Sequence, residues 1–199
     1  MEATIEQRKE RGGLEEYALV LDYLPTGKSF SIKSEPLAQL LGEEKFTLLE
    51  VSLKQGVIVK TGERVYIGRN ERDKILQIKS RLKYNDLTEG AKKELPNAIT
   101  SVIKSNEQKY INLFNIAGPL NIREHSLELL PGIGKKNLQA ILAAREEKKF
   151  ENFEDMSKRV AILQNPIKLL VDRIIEEMKG ESRFYILTKP YPRDDEKRY

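Results

Sequence analysis

The sequence predicts an α+β chain, with a small N-terminal β-barrel followed by an all-α domain. Three observations predict it. From Leu14 to about Tyr84, short apolar runs alternate with turn residues at the spacing of strands. Beyond Tyr84 the apolar period lengthens to that of helices. The composition, 39% hydrophobic and 33% charged over 199 residues, supplies a core of the size such a chain needs.

In order along the chain, residues 1–13 read as a mobile tail ending in Gly12-Gly13. Tyr17 to Leu21 forms a strand-like run, closed by the turn signal Leu24-Pro25-Thr26-Gly27-Lys28. Phe30 to Ile32, Leu37 to Leu41, Phe46 to Leu53, Val57 to Lys60 and Arg64 to Ile67 are further strands, with Thr61-Gly62-Glu63 at a hairpin tip. A last strand spans Lys74 to Tyr84. Its even positions from Leu76 are mostly apolar, and Lys79, Arg81 and Lys83 fall on the opposite face. Six or seven short strands in residues 14–84 fit a closed barrel of oligonucleotide-binding (OB) type.

Residues 85–120 read as connecting helices. Ala91 to Ser105 sets Leu95, Ile99, Val102 and Ile103 on one face, and Glu107 to Ala117 does so with Tyr110, Leu113, Phe114 and Ala117. Gly118-Pro119 ends them. Asn121 with Glu124 caps a helix to Leu130. The helix after Gly134 buries Leu138, Ile141, Leu142 and the stem of Arg145. Asn165-Pro166 starts a last helix, whose stripe is Ile167, Leu170, Val171, Ile174, Ile175 and Met178, and Gly180 stops it. Phe184 to Leu187 reads as an added strand within a tail, residues 183–199.

Composition excludes several chemistries. There are no cysteines, hence no disulfides, thiolate zinc sites, iron–sulfur clusters or cysteine nucleophile. A single histidine, His125, argues against a histidine metal site or a Ser-His-Asp triad, and reads as a surface residue. The chain lacks an 18-residue apolar run and opens on a charged segment, so it is expected to be cytoplasmic and independent of membranes. A monomer is expected, although the sequence does not reveal oligomeric state. Net charge is +4 with a pI near 9.0, a weak lean toward nucleic acid.

One motif states a chemistry. Leu130-Pro131-Gly132-Ile133-Gly134 is followed at once by Lys135-Lys136-Asn137, with apolar amphipathic sequence on both sides. The glycines let the backbone turn tightly and approach another surface, since neither carries a Cβ. The helix starting at Lys135 points its free N–H groups at the same spot, which makes a phosphate site. A helical corner used only for packing is the plainer reading. The paired glycines and adjacent lysines favour nucleic acid.

This pattern resembles the helix-hairpin-helix motif, which grips nucleic-acid backbones without reading bases. A helix, hairpin and helix recur about 32 residues later around Ile162 to Pro166, without the glycines, and Phe150 and Phe153 lie between the copies. Residues 121–182 are thereby similar to double helix-hairpin-helix domains of repair and competence proteins, with a degenerate second copy. The whole chain resembles an uncharacterised archaeal family of predicted nucleic-acid-binding proteins. The resemblance implies phosphate contacts from Gly132, Ile133, Gly134, Lys135, Lys136 and Asn137. It also implies an optional K+ or Na+ on the carbonyls of Glu128, Leu130 and Ile133, and a partner that is RNA somewhat before DNA, linked to translation or rRNA metabolism.

Other features weigh less. Lys79, Arg81 and Lys83 fit a basic nucleic-acid face, although lysines on an edge strand also block aggregation. Lys148-Lys149 and Lys158-Arg159 extend the positive surface or sit as solvated helix ends. Asp194-Asp195-Glu196 imitates a metal cluster within a tail. No catalytic residue is expected. Two alternatives remain: a protein-docking adaptor, and a DNA glycosylase or lyase using Lys136 as Schiff-base nucleophile with Asp155. The latter lacks a second helical domain to build its base pocket.

Overall fold

The computed structural model describes residues 15–27, 35–161, 163 and 165–191. It divides into two compact units, residues 1–98 with 188–199 and residues 99–187.

The first unit is built on five antiparallel strands, β1 (Tyr17–Leu24), β2 (Leu37–Gly42), β3 (Leu48–Leu53), β4 (Arg64–Tyr66) and β5 (Ile75–Arg81), in the order β4-β1-β2-β3-β5. The sheet curls into a half-barrel around Ala18, Val20, Ala38, Leu40, Val51, Leu53, Val65 and Ile75. β2 and β3 are buried at every position, so both of their faces are covered. Among the described residues β4 and β5 are the outer strands, where a closed barrel was expected. The expected strand Phe30–Ile32 lies outside the described residues. Val57 to Lys60 is not a strand: Val57 N–H donates to the Lys54 carbonyl in a turn, and Val59 enters the core without a ladder. The expected hairpin tip is therefore a turn before β4, where Gly62 takes φ 79° and its N–H donates to the Val20 carbonyl at 2.7 Å.

β5 departs from strict alternation. Its register against β3 shifts between Glu50 and Val51 and again between Ser52 and Leu53. Each shift flips the side chains beyond it. Leu76 is therefore 58% exposed while its odd neighbour Ile75 is buried, contrary to the expected run of even apolar positions, which holds at buried Leu82.

On the second sheet face the buried Gln39 is fully used. Its amide donates to the Asp86 carbonyl (3.2 Å) and accepts from Thr88 N–H (2.9 Å). The Thr88 hydroxyl donates to Asp22 and accepts from Ala91 N–H, which caps helix α1 (Glu89–Ser105). The division between units falls within α1.

The second unit continues with α2 (Glu107–Ile116), α3 (Lys135–Glu147), α4 (Phe153–Arg159) and α5 (Pro166–Lys179). Its core holds Ile103, Ile111, Phe114, Phe150, Phe153, Met156, Leu170 and Ile174. The Asn115 amide pairs with the backbone of Phe150 in both directions, at 2.9 and 2.8 Å, and sets that ring in place.

Three local expectations are corrected. The helix expected over Asn121–Leu130 shrinks to a 3-10 turn, Ser126–Leu129. The Asn121 carboxamide instead accepts from Arg123 and Glu124 N–H, closing a local turn that competes with helix. The buried face of α5 is rotated from the expected stripe: Ile167, Ile175 and Met178 are only half-buried, while Arg173 and Glu177 are 4% and 1% exposed. Phe184–Leu187 is not a strand. Ile186 and Leu187 donate their N–H groups to the Glu177 carboxylate (2.9 and 3.1 Å), and Arg173 Nη2 donates to the Phe184 carbonyl.

Candidate nucleic-acid interface

The glycine turn is anchored by two apolar feet, Leu130 and Ile133, both buried. Ile133 N–H donates to the Leu130 carbonyl at 3.0 Å, which closes the turn. Gly132 sits at φ 85°, a conformation that L side chains rarely adopt. The Asn137 amide reaches back to donate to the Gly132 carbonyl (2.7 Å), locking the hairpin to the helix it feeds.

Gly134 caps α3 at φ −85°, ψ 179°, ordinary extended backbone. The first bond of the helix runs from Leu138 N–H to the Gly134 carbonyl at 2.9 Å. The N–H groups of Lys135, Lys136 and Asn137 therefore precede the helical ladder, and the cap has no side chain to take them. Gly134, Lys135 and Lys136 are exposed. A Cβ built at Gly134 would meet nothing within 4 Å.

The second helix start differs. The Asn165 side chain accepts from Lys168 N–H (3.0 Å), and Pro166 has no N–H to offer. Its first turn is capped by a side chain, whereas that of α3 is not. The two starts are packed together, since a Cβ at Gly132 would lie 3.6 Å from Leu169 Cδ2. Ile162 and Gln164, in the degenerate hairpin, lie outside the described residues. Of the three carbonyls expected to ligate a monovalent cation, that of Leu130 already accepts within the turn.

His125, read as a surface residue, is 9% exposed. Its Nδ1 accepts from Leu127 N–H (3.1 Å) and its own N–H donates to Glu128 (2.9 Å). Burial and the nearby Arg145 charge push its pKa below the ordinary value, against the opposing pull of Glu128. The neutral ring is a cap for the approach to the hairpin.

The remaining candidates are largely engaged inside the protein. Lys79 pairs with Glu35 at 2.8 Å. Half-buried Arg81 donates to the Lys189 carbonyl (2.6 Å), and burial draws its guanidinium pKa downward. Lys83 stands exposed beside Tyr191. These three belong to the first unit and the hairpin to the second. Lys148 and Lys158 pair with Glu151 and Glu154, both at 2.6 Å. Arg159 donates to the Ala144 and Lys148 carbonyls at the end of α3. Lys136 is exposed, while Asp155 accepts from Glu151 N–H and pairs with Arg159, which holds its carboxyl below the usual range. Asp194-Asp195-Glu196 lies outside the described residues. Among those described, no group of acidic or histidine side chains is arranged to hold a metal ion, and no helix is long and apolar enough to cross a membrane.

Sequence reasoning placed the stem of Arg145 in the core but missed what its guanidinium does. Arg145 Nη1 donates to the Phe114 and Ala117 carbonyls (2.9 and 2.7 Å), tying α3 to the end of α2. Its position one turn beyond Ile141 was the available signal.

Comparison with known proteins gives this arrangement a family. A profile described as protein of unknown function (DUF655) matches residues 14–189. The chain belongs to the DUF655 family. A DUF655 protein of Archaeoglobus fulgidus, Af1531, has a crystal structure that superposes with a TM-score of 0.84 at 47% identity, covering 88% of this chain and 100% of that one. The uncharacterised protein MJ0038 of Methanocaldococcus jannaschii is 41% identical over 177 residues, 88% of this chain and 80% of the relative. DUF655 thus has archaeal members that share most of this chain.

Proposed function

We propose that the chain is a non-catalytic nucleic-acid-binding protein whose helix-hairpin-helix, Leu130 to Asn137, grips the phosphate backbone. The observation that carries this reading is Gly134. Nothing among the described residues requires glycine there: the backbone is ordinary and a Cβ would meet none of them within 4 Å. Glycine costs conformational entropy on folding, so the bare position is explained by close approach from outside. The adjacent uncapped N–H groups and the positive end of α3 supply the attraction for an anion. Lys135 and Lys136 add a diffuse field.

Such contacts carry no base information, so affinity follows backbone shape and falls steeply with salt. RNA is the favoured partner. The test is fluorescence anisotropy on labelled duplex RNA, structured RNA and duplex DNA at two salt concentrations. Salt-sensitive binding that a Gly134 variant loses supports the reading; salt-insensitive binding, or none, refutes it. Protein docking is the second reading, favoured by the exposed Ile116, Leu120 and Ile122 on the approach to the hairpin. Affinity for a protein that holds as salt rises would support it instead.

A further inference from the structure

Among the described residues β5 is an outer strand of the five-stranded sheet; Arg81 ends it, and Lys83 follows two residues on, just beyond the strand. Both cations lie against the ring of Tyr191, its centroid 5.4 Å from Arg81 Cζ and 5.2 Å from Lys83 Nζ. The Tyr191 hydroxyl donates to the Arg81 carbonyl at 3.4 Å, the outer limit of a hydrogen bond, and Arg81 Nη2 donates to the Lys189 carbonyl at 2.6 Å. Tyr191 is itself half-exposed, and the segment that bears it is neither helix nor strand.

We propose that this edge carries a stacking site for a base of single-stranded nucleic acid, which Tyr191 occupies in cis. A planar π-system within reach of two cations is what a nucleobase with flanking phosphates would present. The tyrosine offers the same face but no phosphate, and a strand brings charge that it lacks. A ligand with both a base and phosphates can therefore displace it, and the covered edge exchanges one ring for another. This site lies in the first unit and stands independently of the hairpin.

The test uses the full chain and a labelled ten-nucleotide oligoadenylate RNA, followed by anisotropy at low salt. Tyr191→Ala is expected to bind about five- to thirtyfold tighter than wild type, the factor for releasing two cation–π contacts. Tyr191→Phe, which keeps the ring, binds like wild type. Adding Arg81→Ala and Lys83→Ala to Tyr191→Ala abolishes the gain, and adding Gly134→Asp leaves it. The proposal is overturned if folded Tyr191→Ala binds no tighter, or if its gain persists without Arg81 and Lys83. A gain that disappears only with Gly134→Asp assigns the strand to the hairpin and also overturns it.

Discussion

Replacing Gly134 with aspartate should move stability and binding in opposite directions. The position has N-cap geometry, φ −85° and ψ 179°, with open space for a side chain. An aspartate there takes an uncapped N–H of the first turn, worth a few tenths of a kcal/mol over glycine. Its charge at the positive helix end adds about 0.3–1 kcal/mol. Losing glycine's freedom in the unfolded chain adds about 0.4–1 kcal/mol. The sum is roughly 1–2 kcal/mol of added stability, and each kcal/mol raises Tm by about 2–4 °C in a chain of this size. The same carboxylate occupies the donors meant for phosphate and repels it. Losing a charge-assisted hydrogen bond of about 1.5–3 kcal/mol weakens binding roughly ten- to a hundredfold. Thermal melts and anisotropy on duplex RNA read the two effects separately. A variant that melts higher yet binds as tightly as wild type would remove the hairpin from the interface. One that melts lower would refute the cap geometry itself.

Three further outcomes follow from the packing. Gly132→Ala forces a Cβ onto φ 85°, and denaturant titration should show a loss of about 1–2 kcal/mol. Arg173→Met leaves the 1%-exposed Glu177 without its cation and should cost about 3–5 kcal/mol, with the Ile186 and Leu187 amides losing exchange protection; preserved protection would count against the clip. His125 has a folded pKa below its ordinary 6.5, so the unfolded chain takes up the proton first. Its contribution is complete above that value and declines as pH falls through the folded pKa. Melts from about pH 7.5 downward should therefore show a slope that His125→Asn, a cap that does not titrate, flattens.

Much of the fold was legible where apolar spacing dominates. Leu95, Ile99, Val102 and Ile103 form the buried face that their period implies, and Gly180 ends α5 at φ 80°. Legibility failed where polar side chains replace regular backbone bonding. Asn121 turns the chain before a helix can form, and Glu177 takes the N–H groups that a strand at Ile186 would have paired. The alternation of β5 was misread because its two register shifts exchange faces, which a period of two cannot anticipate. At the hairpin, the glycines stood out in the sequence, but not the difference between them. Gly132 is demanded by its backbone and Gly134 by nothing among the described residues, and only coordinates separate the two.

The Arg173–Glu177 clip also bears on how the protein is made. Both ionised side chains reside on α5, yet the backbone groups that complete their bonding belong to Phe184, Ile186 and Leu187, later in the chain. During synthesis α5 emerges before those partners, so its charged pair has to wait in water until Leu187 has cleared the ribosome. Until then the Arg173 and Glu177 face of the last helix lacks the backbone partners that complete it. A nascent chain stalled before residue 184 exposes an unfinished face, marked by two charges, for chaperones and proteases to find.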